Sequence, residues 1–133
     1  MSAANWLEVL GWSEEDLEDL RFVGYSYLKQ GKYDIASTFF EALVILAPTS
    51  PYDLQTLGAL YLQRGDHQMA LTTIDKALKM APQHGPTLLN RAKVLFALGY
   101  KKQALTQAKA LQSHSDPQIA SLASALIEGH LPG

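Results

Sequence analysis

GKYDIASTFFEALVILAP, residues 31–48, decides the architecture of this 133-residue chain, because it recurs. Gly31, Gly65 and Gly99 lie 34 residues apart, and so do Ala36, Ala70 and Ala104, and Leu20, Leu54 and Leu88. Pro48 and Pro82 keep the interval, while the third proline arrives one residue late, at Pro117. A fixed period of this length in helix-forming sequence marks stacked helix-turn-helix units, none of which can bury its apolar face alone.

Working outward, Gly31 supplies the left-handed residue that ends a preceding helix. That helix opens at Ser13, with Asp16 three residues on as the acid of a capping box, and it carries Leu17, Leu20, Val23 and Tyr27 at helical spacing. After the turn, Ile35, Ala36, Phe39, Phe40 and Leu43 point inward from a second helix. Ser50 followed by Pro51 reads as an N-cap and first helical residue. Leu54, Leu57, Gly58 and Tyr61, then Ala70, Ile74, Ala77 and Leu78, repeat the plan; Leu88, Ala92 and Leu95, then Ala104, Ala108 and Leu111, repeat it again. Gly24, Gly58 and Ala92 sit mid-helix, where glycine costs about 1 kcal/mol against alanine, so a close approach of the partner helix is expected there. The units fall at 17–50, 51–84 and 85–118 within a single domain, 1–133. A short amphipathic lead helix is expected over 3–11, and Asp116-Pro117 opens a closing helix over 117–129 with Ile119, Leu122, Ala123, Leu126 and Ile127 on one side. The fold class is all-α.

Composition narrows the function. Hydrophobic residues make up 47% of the chain, as in a globular protein, and the net charge of −2 gives no reason to expect nucleic acid or a membrane as partner. With no cysteine, disulfides and thiolate metal sites are excluded. No apolar run approaches the roughly 18 residues of a membrane span, and the N-terminus lacks a basic segment ahead of its apolar residues, so cytoplasmic residence is expected. His67, His84, His114 and His130 fall in different units at no ligand spacing, and Gly31, Gly65 and Gly99 are isolated turn residues rather than a phosphate loop. Neither catalysis nor a cofactor is expected. Charge is uneven: Glu8, Glu14, Glu15, Asp16, Glu18 and Asp19 precede any basic residue, and Lys76 to Ser115 holds seven basic residues and no acid. That is either two solvated faces or two ends that attract each other between copies of the chain, or attract a charged partner.

Gly24, Tyr27, Gly31, Tyr33, Ala36, Phe40 and Pro48 resemble the tetratricopeptide repeat consensus in type and spacing. Leu57, Gly58, Tyr61, Gly65, Ala70, Ala77 and Pro82 resemble it again; the third unit departs from it at Arg91 and Ala108. The resemblance implies three repeats in a right-handed superhelix whose concave face is lined by the first helix of each pair. LRFVGYSYLKQGKYDIASTFFEALVILAP, residues 20–48, is also similar in rhythm to the small tetratricopeptide chaperones of bacterial type III secretion. That resemblance implies a chaperone holding a hydrophobic secreted client, a needle or translocator subunit, by an apolar helix or extended segment. A small helical co-chaperone or a second copy of the chain is the further partner it implies.

The repeat register places the groove. Arg21, Tyr25 and Leu28 line it in the first unit, Tyr52, Gln55, Ala59 and Leu62 in the second, and Leu89, Lys93 and Phe96 in the third. A solvated groove has no structural need of so apolar a set, and contiguous exposed apolar surface marks a binding site, unless the lead helix or another copy fills it. Repeat domains that clamp heat-shock chaperone tails use Lys and Asn at set positions; Arg21, Tyr25, Thr56, Pro86 and Asn90 stand there, and only the first and last are compatible. Trp6 and Trp12 either cap the first repeat or meet a partner. In that second case the protein is a repeat scaffold or adaptor within a larger complex.

Overall fold

The computed structural model describes residues 5–131. Among these the chain forms α1 (Trp6–Leu10), α2 (Glu14–Lys29), α3 (Tyr33–Leu46), α4 (Pro51–Arg64), α5 (His67–Met80), α6 (Gly85–Ala97), α7 (Lys101–Leu111) and α8 (Pro117–Gly129). Helices α2 and α3, α4 and α5, and α6 and α7 pair as antiparallel hairpins. Each hairpin packs its first helix on the second helix of the one before, and α8 closes the stack against α6 and α7. The lead helix begins at Trp6; residues 3 and 4 of its expected span lie outside the described residues. None of the helices is long and apolar enough to cross a membrane, among the described residues.

The local chemistry follows the sequence. Gly31, Gly65 and Gly99 take φ of 76, 84 and 86°, the left-handed conformation that turns each hairpin. Ser13 and Asp16 form a reciprocal capping box: the Ser13 amide donates to Asp16 Oδ2 at 2.8 Å, and the Asp16 amide donates to Ser13 Oγ at 3.3 Å. Asp116 accepts from the Gln118 amide at 2.9 Å and starts α8. Where the helices of a pair cross, Ala36, Ala70 and Ala104 are fully buried. At Gly58 a Cβ would lie 2.7 Å from Ile74 Cγ1, so the partner helix has taken the space a side chain needs.

Three residues that the sequence pattern turns inward stand in solvent. Val23 is 39% exposed because no helix pair packs over it among the described residues, whereas Leu57, at the same repeat position, is buried at 4%. Leu122 is 44% exposed because α8 has no partner helix of its own among the described residues. Ile35 is likewise exposed, on the outer side of α3.

Candidate protein-binding groove

The inner row of first helices is not uniformly packed. Helices α4 and α6 touch directly, but no Cα of α2 comes within 8 Å of α4. Side chains span that gap. Arg21 Nε and Nη2 donate to Asp53 Oδ1 and Oδ2, each at 2.8 Å, and Nη1 donates to Glu18 Oε1 at 2.6 Å. Asp53 is fully buried. The hydrogen bond to Asp53 raises the guanidinium pKa further above its ordinary value, against the opposing effect of burial. Arg21 therefore lines the groove while its hydrogen-bonding edge is committed to holding two repeats together.

Beside it opens a cleft of about 540 Å³, lined by Glu18, Arg21, Phe22, Tyr25, Ser50 and Tyr52. Three aromatic rings present themselves to solvent here: Phe22 at 72% exposure, Tyr25 at 44% and Tyr52 at 46%. Lys29 Nζ lies 5.2 Å from the Tyr25 ring, and Tyr52 meets the buried Phe40 edge-on at 6.3 Å. The repeat register does not place Phe22 in the groove. A signal for it exists in the sequence: the same repeat position holds Thr56 and Asn90, so an aromatic there is out of keeping with the other units.

The remaining expected residues divide. Leu28 and Leu62 are half-buried and pack their inner sides on the core, leaving an edge to the groove. Gln55 and Ala59 are half-buried on α4, and Lys93 is exposed on α6. Phe96 is half-buried beneath His130 of α8, ring over ring at 3.9 Å. Leu89 is a correction. It is 3% exposed and packs with Leu111, Ile119 and Ala123, because α8 stacks on the side of α6 that the register assigns to the groove. The groove is thus richest in aromatic surface at its N-terminal end and closed by α8 at the other.

Neither tryptophan is buried: Trp6 is 45% and Trp12 38% exposed, and the contact of α1 with the core runs through Leu7. On the opposite, convex side, a second slot of about 420 Å³ runs between α3 and α5, with Val44, Ile45, Leu57 and Met69 in its wall. One repeat later the same place is bridged by Arg91, which donates to Asp75 at 2.8 Å and to Gln107 at 3.0 Å. Among the described residues no three acidic or histidine side chains gather as a metal site.

The fold is shared with solved structures. A type III secretion complex from Aeromonas hydrophila superposes with a TM-score of 0.81 at 23% identity, over 96% of this chain and 86% of that one. PcrH, solved in complex with the chaperone-binding region of PopD, superposes with a TM-score of 0.81 at 24% identity, over 90% of this chain and 93% of that one. The first tetratricopeptide domain of Spaghetti (RPAP3), bound to an HSP90 peptide, gives a TM-score of 0.75 at 18% identity, over 88% and 94%. At these identities the likeness is one of fold. No curated protein matches the sequence. The family model described as "Anaphase-promoting complex, cyclosome, subunit 3" matches residues 29–111, more than half of the chain. The protein is a tetratricopeptide repeat protein, and it belongs to that family.

Proposed function

We propose that this chain is a cytoplasmic, non-catalytic chaperone that holds an apolar segment of a secreted client, such as a type III secretion needle or translocator subunit, in its concave groove. The observation that carries the reading is the cleft between α2 and α4, where three partly exposed aromatic rings line one open site. Two of the similar solved folds support it, since both come from type III secretion and one is in complex with the chaperone-binding region of PopD. Aromatic side chains supply large contact area at low entropic cost, and a pre-built apolar trough suits a helix or an extended strand of a client that would otherwise aggregate. Binding of this kind needs neither ATP nor a metal. The test is co-expression with small secreted proteins of the same genome, followed by size-exclusion chromatography with light scattering. A defined soluble complex, formed with one or two candidates that precipitate when expressed alone, is the expected result. A chain that stays a monodisperse monomer beside every candidate would overturn the reading.

A second reading rests on α1. Trp6, Val9 and Leu10 are 45%, 66% and 49% exposed on one short helix, and the matching family model is described by a subunit of a complex. On that reading the chain is a scaffold or adaptor that joins a larger complex through Trp6, Trp12 and the acidic lead segment. Trp6→Ala then abolishes assembly, while substitutions in the cleft leave it intact.

A further inference from the structure

Residues Leu28, Leu62, Phe96 and His130 occupy one repeat position, each 34 residues after the last. They sit near the C-terminal ends of α2, α4, α6 and α8, so they form a row across the inner face of the stack. The first three are apolar, and Leu28 and Leu62 offer a ligand an edge. The fourth is polar, and its ring does not continue the row. It folds back onto the third member: the His130 and Phe96 rings stack with centroids 3.9 Å apart and 11° between their planes. His130 is held there from behind, because Nδ1 lies 2.9 Å from the Leu126 carbonyl oxygen, which can only accept. In that contact Nδ1 carries a proton and donates it to the carbonyl, with the ring lying over Phe96.

We propose that His130 is the end-stop of the groove: its ring covers Phe96 and restricts a bound segment to the part of the row formed by Leu28 and Leu62. The proposal rests on the concave groove being the binding site. It adds which residue sets the length of segment accepted. A core contact would be buried and immobile, whereas His130 stands exposed at the C-cap of the last helix, with a single backbone hydrogen bond and one stacked face holding it. Such a cover excludes weak ligands and yields to a client segment that offers Phe96 a better ring or aliphatic chain.

The test uses the full chain with 4-fluorophenylalanine at its four phenylalanines, resonances assigned by single Phe→Leu substitutions, titrated with the apolar dye 8-anilinonaphthalene-1-sulfonate. Phe22 reports the aromatic cleft and Phe96 reports the covered position. In His130→Ala the Phe96 resonance is expected to respond at roughly three- to tenfold lower dye concentration than in wild type, the range expected of one aromatic stack. Phe22 is expected to respond equally in both. His130→Tyr, which restores an aromatic cover without adding a labelled site, is expected to return Phe96 to wild-type behaviour. An unchanged Phe96 response in His130→Ala, with Phe22 still responding, overturns the end-stop and leaves the groove standing. If Phe22 and Phe96 are both silent in every variant, the groove reading itself falls and the end-stop with it. Helicity by circular dichroism certifies each variant as folded.

Discussion

Arg21 grips the fully buried carboxylate of Asp53 through two parallel hydrogen bonds of 2.8 Å, and this pair spans two helices whose backbones do not touch. The fork-on-fork geometry is what a guanidinium provides and an ammonium cannot. Removing one partner of a buried pair strands the other, at a cost of about 3–5 kcal/mol, whereas replacing both with apolar groups of similar volume is close to neutral. Arg21→Ala is therefore expected to lose about that much in denaturant unfolding. Arg21→Met combined with Asp53→Leu should recover most of it. A loss below about 1 kcal/mol for Arg21→Ala would mean that the pair does not hold α2 to α4.

This pair also shows where the sequence stops being legible. The period fixes backbone environments, so the turn glycines, the buried alanines and the caps at Ser13 and Asp116 can all be read from spacing. Asp53 cannot. Acidic residues are almost always solvated, and the equivalent positions hold Asp19 in the first unit and Thr87 in the third, so nothing in the pattern announces a buried charge. The other departures lie at the ends of the array, where translational repetition fails. Leu89 is buried because α8 lies over it, Phe96 is covered by the C-cap residue of α8, and Val23 and Phe22 are bare because no helix pair packs over them among the described residues. A register argument treats every unit as internal, and here the first unit bares its aromatic face while the third is closed by α8.

Gly58 offers a test of the packing inside the second hairpin. Alanine is the better helix former by about 1 kcal/mol, so an unconstrained site would gain from Gly58→Ala. Here the new Cβ would meet Ile74 Cγ1 at 2.7 Å, and Ile74 is fully enclosed. Overpacking of this kind costs about 1–3 kcal/mol and is expected to win. Chemical unfolding of Gly58→Ala should show net destabilisation. A gain in stability would mean that α4 and α5 are not packed as closely as described.

Tyr61 gives the fold a dependence on alkaline pH. Its hydroxyl donates to Glu41 Oε2 at 3.0 Å, and burial, then that hydrogen bond, pushes its pKa up to about 12 from an ordinary 10.0. The neutral phenol is the form the native state favours. The folded chain therefore holds this proton where the unfolded chain has released it. The stabilisation is complete below about pH 10 and is lost progressively as pH rises toward 12. A pKa displaced this far corresponds to roughly 2–3 kcal/mol, all of it gone at the upper end of that window. Tyr61→Phe is expected to flatten the fall in stability between pH 10 and 12, measured against the wild-type curve. Equal slopes in the two proteins would remove Tyr61 as the titrating group.

The groove reading stands or falls on residues that can be changed without touching the core. Leu62 is a poor choice, since it also packs against the main cluster, and its loss would confuse binding with stability. Tyr25 is better, at 44% exposed on the wall of the cleft; Tyr52 faces it at 46% exposed but meets the buried Phe40 edge-on. Truncating a central aromatic anchor typically costs an interface about 2 kcal/mol or more, about a thirtyfold loss of affinity. A carboxylate in the same place adds desolvation to that loss. Tyr25→Glu and Tyr52→Glu are each expected to weaken client capture by about that factor or more in a pull-down series, with unchanged helicity; the unfolding midpoint is expected to hold in Tyr25→Glu and to fall in Tyr52→Glu, whose ring packs on Phe40. Trp6→Ala, outside the aromatic cleft, should leave capture within about twofold of wild type, because Trp6 does not line that cleft and α1 meets the core through Leu7. The reverse pattern, with capture lost in Trp6→Ala and kept in both tyrosine variants, would move the binding surface from the cleft to the lead helix and favour the scaffold reading.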